Sequence, residues 1–205
     1  MTRVAILDCG ISNVGSVQNA FGYIGIESRL IHRSQDIADC SHVVLPGDGS
    51  FPEGMMRLKS TGLDEGVHRA ASDGKMILGI CLGMQLLADE GEEFGLTSGL
   101  GLVPGRVVLM QTDAQALPLP QVGWNDVTFG EHSRLGQHLE GHAPFYFMQS
   151  FAFSDPSAPY VAARCNYGGT HVSAIEKDNV LGVQFHPEKS QRTGLRLLKN
   201  FAEMG

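Results

Sequence analysis

Short apolar segments alternate with helical segments through the first half of the chain, and this alternation most constrains the fold. The predicted strands are Val4–Leu7, Ser28–Ile31, His42–Leu45 and Met76–Ile80. After the first strand, apolar residues recur at helical spacing from Val14 to Ile24, and residues 52–73 form a second helical connection. Strands that alternate with helices favour a parallel sheet covered by helices. The sequence therefore predicts an α/β fold with a central, mostly parallel sheet.

The second half of the chain has a different pattern, in which glycine and proline separate short strands. The predicted strands are Val107–Met110, Phe145–Met148, Tyr160–Arg164, Val172–Glu176 and Val180–Phe185. An amphipathic helix is predicted to close the chain at about 191–204, with Leu195, Leu198, Phe201 and Ala202 on its inner face. We therefore expect an antiparallel or mixed extension of the sheet in the C-terminal half.

Composition excludes several classes of partner. The 205 residues are 42% hydrophobic and carry a net charge of -7, which predicts one globular domain over 1–205 and opposes nucleic acid or an anionic membrane as the main partner. No apolar run approaches the roughly 18 residues of a membrane span, and the N-terminus runs straight into a strand, so we expect a cytoplasmic protein. The four cysteines are scattered without metal-ligand spacing. We expect free thiols, no metal and no cofactor.

The segment KMILGICLGMQLL contains a cysteine at a predicted strand-to-helix turn. A nucleophile at such a turn is lifted out of the sheet, and the tight backbone requires small neighbours. Gly79 and Gly83, on either side of Cys81, supply that room, and the start of a helix at Leu82 favours a thiolate. This stretch alone also fits a buried structural cysteine beside a glycine-rich helix start.

The segment VLGVQFHPEKS supplies a possible base for that cysteine. His186 and Glu188 stand at alternate positions around Pro187, where a strand is predicted to end at Phe185. An imidazole can take the proton of a thiol, and a carboxylate on its other nitrogen fixes its orientation. We therefore predict a Cys81–His186–Glu188 triad. In isolation, the same residues also fit a histidine that caps a strand and a solvated glutamate.

The segment VVLPGDGSF ends another predicted strand in a glycine-rich loop, Pro46–Gly49. Such a loop can direct backbone N–H groups at the oxyanion that forms during acyl transfer. An ordinary strand-to-helix turn explains the same residues, because glycine and proline are common in loops.

Together these motifs resemble those of the class I, triad-type glutamine amidotransferases, whose fold is flavodoxin-like. Within that family the chain is similar, over nearly its whole length, to the glutaminase subunits of imidazole glycerol phosphate synthase. The segments that carry the resemblance are residues 8–13, 16–17, 46–51, 79–87, 99–105, 123–125, 146–151 and 179–190.

The resemblance implies that Cys81 attacks the carboxamide of L-glutamine, releases ammonia and leaves a glutamyl thioester that water hydrolyses. It assigns oxyanion donors to Leu82, Gly47, Asp48 and Gly49. It assigns substrate contacts to Gln85, Glu93, Gln149, Ser150 and Phe151. It also implies a partner, because ammonia in this family passes to a TIM-barrel cyclase subunit that makes imidazole glycerol phosphate and AICAR in histidine biosynthesis.

The chain departs from the usual family pattern at several positions outside the predicted triad. These positions are Cys9, Ser12, Asp48, Gln121 and Gln149. A carboxylate facing the oxyanion would oppose it, so we expect the Asp48 side chain to point away or the loop to rest in an inactive conformation. The glutamines, near the subunit interface of relatives, leave open a paralogue that feeds ammonia to another synthase, for instance in cell-surface sugar biosynthesis.

Two further classes compete with the amidotransferase interpretation. A cysteine hydrolase or a pyridoxal phosphate synthase glutaminase would share the cysteine turn, although Gly123-Trp124-Asn125 and Pro46–Phe51 fit the histidine-pathway type better. A catalytically inactive interaction module is the other alternative, and the intact triad opposes it.

Overall fold

The computed structural model describes residues 2–10, 12–112, 117–139 and 142–205, so Ile11 in the turn at 8–13 lies outside the described residues. A nine-stranded sheet forms its centre. The strands of this sheet are β1 (Arg3–Leu7), β2 (Glu27–Ile31), β3 (His42–Gly47), β4 (Met76–Cys81), β8 (Gln121–Phe129), β9 (Ala143–Gln149), β11 (Val161–Asn166), β12 (Thr170–Lys177) and β13 (Val180–Val183). Their order across the sheet is β2-β1-β3-β4-β13-β12-β11-β8-β9.

The first five strands in this order are mutually parallel, as predicted. Their connectivity follows the flavodoxin-like order, in which the second strand lies at one edge and the later strands extend the other side. Every residue of β3 and β4 is buried, because helices cover both faces of a parallel sheet. The carboxyl ends of β3, β4 and β13 therefore lie side by side.

The remaining strands pair antiparallel, which confirms the predicted change of pattern in the C-terminal half. Strand β8 was not among the strands predicted from the sequence, although it is the longest in the sheet. Gly123, Asn125 and Asp126 give this segment a low intrinsic strand preference. Pairing with β9 and β11 on its two sides overrides that preference.

In the described part of the chain, five α-helices flank the sheet. They are α1 (Val14–Tyr23), α2 (Phe51–Thr61), α3 (Leu63–Ser72), α4 (Leu82–Leu86) and α5 (Gln191–Ala202). Helices α1 and α5 pack on one face of the sheet, and α2, α3 and α4 pack on the other. The helical connection predicted at 52–73 is two helices, because Gly62 adopts a left-handed conformation with φ 68°. In α5 the predicted inner face is confirmed: Leu198, Phe201 and Ala202 are buried, and the partly buried Leu195 packs against the same cluster. Leu197, which was not predicted, is also buried there.

A second, smaller sheet stands beside the first. It contains β5 (Glu90–Gly91), β6 (Thr97–Ser98), β7 (Arg106–Leu109) and β10 (Phe151–Phe153), in the order β10-β7-β5-β6. The chain passes from the large sheet to the small one at Ser150, between β9 and β10. Among the described residues, no helix has both the length and the apolar character that crossing a bilayer requires.

The contact between α4 and β3 generates a prediction about stability. A Cβ atom at Gly83 would overlap the carbonyl oxygen of Leu45. The backbone of α4 can move away from that oxygen only if strand β3 or β4 also moves. We expect Gly83→Ala to lower the free energy of unfolding by about 3 kcal/mol or more. Urea denaturation followed by circular dichroism measures this change.

Gly22→Ala is the matched control, because Gly22 lies in α1 and a Cβ there meets nothing within 4 Å. We expect this variant to be about 0.5–1 kcal/mol more stable than the wild type. A Gly83→Ala protein as stable as the wild type would show that α4 and β3 are not in this contact.

Candidate active site

Cys81 is the last residue of β4, and α4 starts at the next residue. Its backbone has φ 55° and ψ -115°, a conformation that costs a non-glycine residue on the order of 1–3 kcal/mol. The glycines predicted to make room do so: a Cβ at Gly79 would lie 2.6 Å from the carbonyl oxygen of Gly83. The strand-to-helix turn predicted around Cys81 is therefore present, although α4 has only five residues.

His186 and Glu188 form a buried hydrogen-bonded pair. His186 Nδ1 lies 2.8 Å from Glu188 Oε1, and each side chain is 4% exposed. Strand β13 ends at Val183 and not at Phe185 as predicted, and a turn of 3-10 helix at Pro187–Lys189 directs Glu188 back to the ring. Burial lowers the pKa of His186, but the adjacent Cys81 sulfur and Glu188 carboxylate outweigh burial and raise the pKa to about 10.

A backbone network that the sequence did not reveal holds His186 against β9. The N–H of His186 donates to the carbonyl of Tyr146 at 2.9 Å. The hydroxyl of Ser190 donates to the carbonyl of His186 at 2.6 Å and accepts the N–H of Tyr146 at 3.0 Å. Ser190 is fully buried. A serine four residues after a histidine carries no recognisable signal unless the 3-10 turn between them is known.

Cys81 faces His186 from the neighbouring strand. The Cys81 sulfur, the available nitrogen of His186 and a carboxylate oxygen of Asp48 all lie within 4.8 Å of one another. The sulfur also lies 3.8 Å from the carbonyl oxygen of Met148. Within the described part of the chain, His186 Nε2 has no hydrogen-bond partner. The three predicted triad residues therefore lie side by side in space: the nucleophile Cys81, the base His186 and the orienting carboxylate of Glu188.

Asp48 does not point away from this site. Its Oδ1 atom lies 4.0 Å from His186 Nε2 and is buried without a hydrogen-bond partner among the described residues. The side chain as a whole is 36% exposed. The first of the two expectations for Asp48 was therefore wrong, and the carboxylate enters the region in which an oxyanion would form beside Cys81.

A cavity of about 200 Å³ opens beside Cys81. Its lining includes most of the residues predicted to stabilise the oxyanion or bind substrate: Asp48, Gly49, Leu82, Gln85, Glu93, Gln149, Ser150 and Phe151. Gly47 is not in the lining. It ends β3 opposite Cys81, and a Cβ there would lie 3.0 Å from the backbone nitrogen of Gly83. Met148 and Pro120 complete the cavity and were not predicted.

The polar side chains of the cavity are fixed by their own contacts. Gln85 donates to the carbonyl of Phe151 at 2.9 Å and to the side-chain oxygen of Gln184 at 3.1 Å. Glu93 accepts the N–H of Phe51 at 2.8 Å, at the first residue of α2. Its carboxylate therefore joins the cavity wall to the helix that follows the Pro46–Gly49 loop.

The two glutamines that depart from the family pattern contact each other. Gln149 Nε2 donates to Gln121 Oε1 at 3.0 Å, across the paired strands β8 and β9. Both side chains are buried. Among the described residues, Gln149 Oε1 has no partner, so the cavity wall offers a hydrogen-bond acceptor at this point.

This geometry suits nucleophilic acyl transfer. A cysteine on a strained turn faces an imidazolium that a buried carboxylate orients, and the adjacent cavity has a carboxylate that can bind an ammonium group. Asp48, Gly49 and Leu82 line the cavity with Cys81, and backbone N–H groups at such positions can stabilise a developing oxyanion.

Comparison with known proteins identifies the family. The family model described as glutamine amidotransferase class-I matches residues 5–204. The chain is 42% identical to imidazole glycerol phosphate synthase subunit HisH 2 of Nitrobacter winogradskyi, with 99% of each chain covered. It is also 42% identical to imidazole glycerol phosphate synthase subunit HisH of Symbiobacterium thermophilum, over 100% of this chain and 95% of that relative.

A solved structure described as a crystal structure of glutamine amidotransferase has the same fold, with a TM-score of 0.75 at 20% identity, covering 98% of this chain and 97% of that chain. The chain belongs to the class I glutamine amidotransferase family, among the HisH subunits of imidazole glycerol phosphate synthase.

Proposed function

We propose that this chain hydrolyses the carboxamide of L-glutamine with Cys81, His186 and Glu188 and supplies the ammonia to a separate cyclase subunit. The observation that carries the proposal is the buried row of these three side chains beside a cavity that Glu93 helps to line. A carboxylate in the cavity suits the α-ammonium group of an amino acid. The HisH relatives are named as subunits of imidazole glycerol phosphate synthase, which supports a histidine-biosynthetic cyclase as the partner.

In the first half of the reaction, the Cys81 sulfur attacks the carboxamide carbon, and a C–S bond forms. Negative charge develops on the carboxamide oxygen, which the N–H of Leu82 and an N–H of the Pro46–Gly49 loop stabilise. His186 donates a proton to the leaving nitrogen, the C–N bond breaks, and ammonia departs. Glu188 holds the ring in the orientation that presents Nε2 to the sulfur.

In the second half, water hydrolyses the glutamyl thioester. His186, now neutral, takes a proton from the water, and the oxygen attacks the thioester carbon. The C–S bond breaks, glutamate leaves, and the thiolate–imidazolium pair is restored. The pKa of about 10 for His186 favours the imidazolium in the resting site, which suits the proton donor that the first half requires.

The Pro46–Gly49 loop controls this chemistry. In the described conformation the Asp48 carboxylate faces His186 Nε2 at 4.0 Å, and a negative charge there opposes an oxyanion. The loop must therefore change its orientation before it can stabilise the transition state. Gly47 and Gly49 flank Asp48, and Gly49 has φ +97°, so this segment tolerates backbone conformations that other residues resist.

An exposed face on β8 and β9 supports docking of a partner next to the site. Val122, Trp124 and Met148 are 57%, 50% and 40% exposed, and Trp124 contacts Tyr146 edge to face at 6.2 Å. The side chain of Met148 lies on this face, whereas its carbonyl contacts Cys81. Exposed aromatic and methionine side chains are enriched at interfaces. We propose that the cyclase binds here and forms a heterodimer with the chain.

We also propose that the chain works in the cytoplasm. Among the described residues, Cys40, Cys81 and Cys165 form no disulfide, which is typical of proteins in reducing compartments.

Replacement of the orienting carboxylate tests the triad. We expect Glu188→Gln to lower glutamine hydrolysis by about 10²- to 10⁴-fold, because an amide can hold the ring without stabilising an imidazolium. Glutamate release is measured with the cyclase present. Glu131→Gln, which changes an exposed glutamate, is the control and should retain the wild-type rate. A folded Glu188→Gln protein with the wild-type rate would remove Glu188 from the mechanism.

The role of the partner is tested by measuring glutamate release from the chain alone, with the cyclase, and with the cyclase and an acceptor analogue. We expect the last rate to exceed the first by at least about 100-fold, the scale of one oxyanion donor. This acceleration requires that the ligand-bound partner prefers the active loop conformation. Equal rates in all three conditions would contradict the gated subunit and favour an independent hydrolase.

In the same assay, Cys81→Ala separates ammonia production from cyclase chemistry. We expect the complex with this variant to lose glutamine-dependent cyclase activity and to keep activity with added ammonium salts. Loss of both activities would contradict a role limited to ammonia supply.

The docking face is tested with Trp124→Ala. We expect the dissociation constant for the cyclase to rise at least about tenfold, because exposed tryptophans dominate interface energies. Titration calorimetry measures it. Tyr23→Ala is the matched control, because Tyr23 is 81% exposed at the end of α1 that lies away from the carboxyl ends of the strands. A Trp124→Ala chain that binds as tightly as the wild type would place the interface elsewhere.

A further inference from the structure

We propose that Asp48, Cys81 and His186 bind one Zn²⁺ ion and that this ion inhibits the enzyme. A sulfur, an imidazole nitrogen and a carboxylate oxygen, one from each residue, all lie within 4.8 Å of one another. Zinc accepts this combination of donors, with thiolate and imidazole preferred. The cysteine and histidine belong to the proposed catalytic machinery, whereas the carboxylate of Asp48 takes no part in the bond-making and proton-transfer steps that we derive.

The spacing between the nitrogen and oxygen donors is close to that of a zinc site. Zinc–ligand bonds of about 2.0–2.3 Å in a tetrahedron place neighbouring donors roughly 3.3–3.6 Å apart. The measured separation between His186 Nε2 and Asp48 Oδ1 is 4.0 Å. Asp48 lies between Gly47 and Gly49 on a half-exposed loop, so the remaining contraction falls on the most adaptable part of the site.

Two of the three donor atoms are buried and have no nitrogen or oxygen hydrogen-bond partner among the described residues. They are His186 Nε2, on a side chain that is 4% exposed, and Asp48 Oδ1. Buried polar atoms without partners are uncommon in folded proteins, because the loss of hydration is not compensated. A cation between them would satisfy both atoms at once.

Glu188 supports the proposed zinc ligand His186 through the ring nitrogen that does not face the metal. It accepts the hydrogen bond of His186 Nδ1 at 2.8 Å, which leaves Nε2 facing the sulfur and the Asp48 carboxylate. A carboxylate on the far nitrogen of a ligating histidine is the usual outer contact of zinc sites, because it fixes the ring and increases its basicity. Three protein ligands would leave a fourth coordination position for water, and the cavity lined by Asp48 and Cys81 adjoins the site.

Zinc at this position would inhibit hydrolysis for a direct reason. Coordination replaces the protons that the ligands otherwise carry and occupies both the nucleophilic sulfur and the nitrogen that transfers protons. Asp48 is essential to the proposed site, because an uncharged residue at that position would leave only two protein ligands. The proposed ion is therefore an inhibitor and not a cofactor of the reaction.

The test measures metal binding on the untagged full-length chain. Calorimetry with Zn²⁺ gives stoichiometry and affinity, and Co²⁺ in its place reports thiolate ligation through its charge-transfer absorption. We expect one ion per chain and a thiolate band. Asp48→Asn and Cys81→Ala should each weaken binding at least about tenfold, and Cys81→Ala should abolish the band.

The matched controls are Asp73→Asn, at an exposed aspartate, and Cys165→Ala, at a distant buried cysteine. Both should bind zinc like the wild type. His186→Gln provides a further ligand variant, and circular dichroism verifies that each protein is folded. Wild-type affinity in Asp48→Asn, or cobalt binding without a thiolate band, would overturn the proposal.

A second measurement ties binding to inhibition. With the cyclase complex, the zinc concentration that halves glutamate release should rise at least about tenfold in Asp48→Asn relative to the wild type. An equal concentration in both proteins would overturn the inhibitory role. Because binding is measured without turnover, a chain that binds zinc but does not hydrolyse glutamine would contradict the proposed function and leave the metal site intact.

Discussion

The close approach between the turn at Cys81 and strand β3 is the contact on which the rest of the site depends. No side chain separates Gly83 from the carbonyl of Leu45, and Gly47 lies opposite Cys81 in the register of β3 and β4. This packing holds Cys81 at its unfavourable φ, because any relaxation of the turn would move two paired strands. Cys81 and Gly47, which ends β3, consequently share one position in the sheet, so the change of orientation proposed for the Pro46–Gly49 loop falls on Asp48 and Gly49.

The charges around His186 explain why this buried site is stable in its described form. The ring lies between the Glu188 carboxylate, the Cys81 sulfur and the Asp48 carboxylate. In a buried site, negatively charged groups close to an imidazole ring favour its protonated form. The site is therefore organised to hold positive charge near Cys81, as a proton on His186 or, in its place, as a metal ion.

The sequence predicted those parts of the fold and the site that are specified by signals in a few adjacent residues. Buried parallel strands and the cysteine turn have such signals, because apolar runs, paired glycines and the His-Pro-Glu segment each occupy a few adjacent residues. Strand β8 has none, since its stability comes from two neighbouring strands and not from its own residues. The side chain of Asp48 was predicted to point away from the site, but its direction depends on the loop backbone. A carboxylate that faces the oxyanion is unfavourable only in the active conformation of the loop.

The contact between residues 186–190 and β9 has a consequence for solubility. Strand β9 lies at the edge of the nine-stranded sheet, and unpaired N–H and C=O groups on an edge strand are a template for aggregation. At Tyr146 both groups are occupied, by Ser190 and by the backbone of His186. The segment that positions the imidazole therefore also covers this part of the sheet edge. Displacement of residues 186–190 would expose backbone groups of β9 that can pair with another chain, and it would also disable the site.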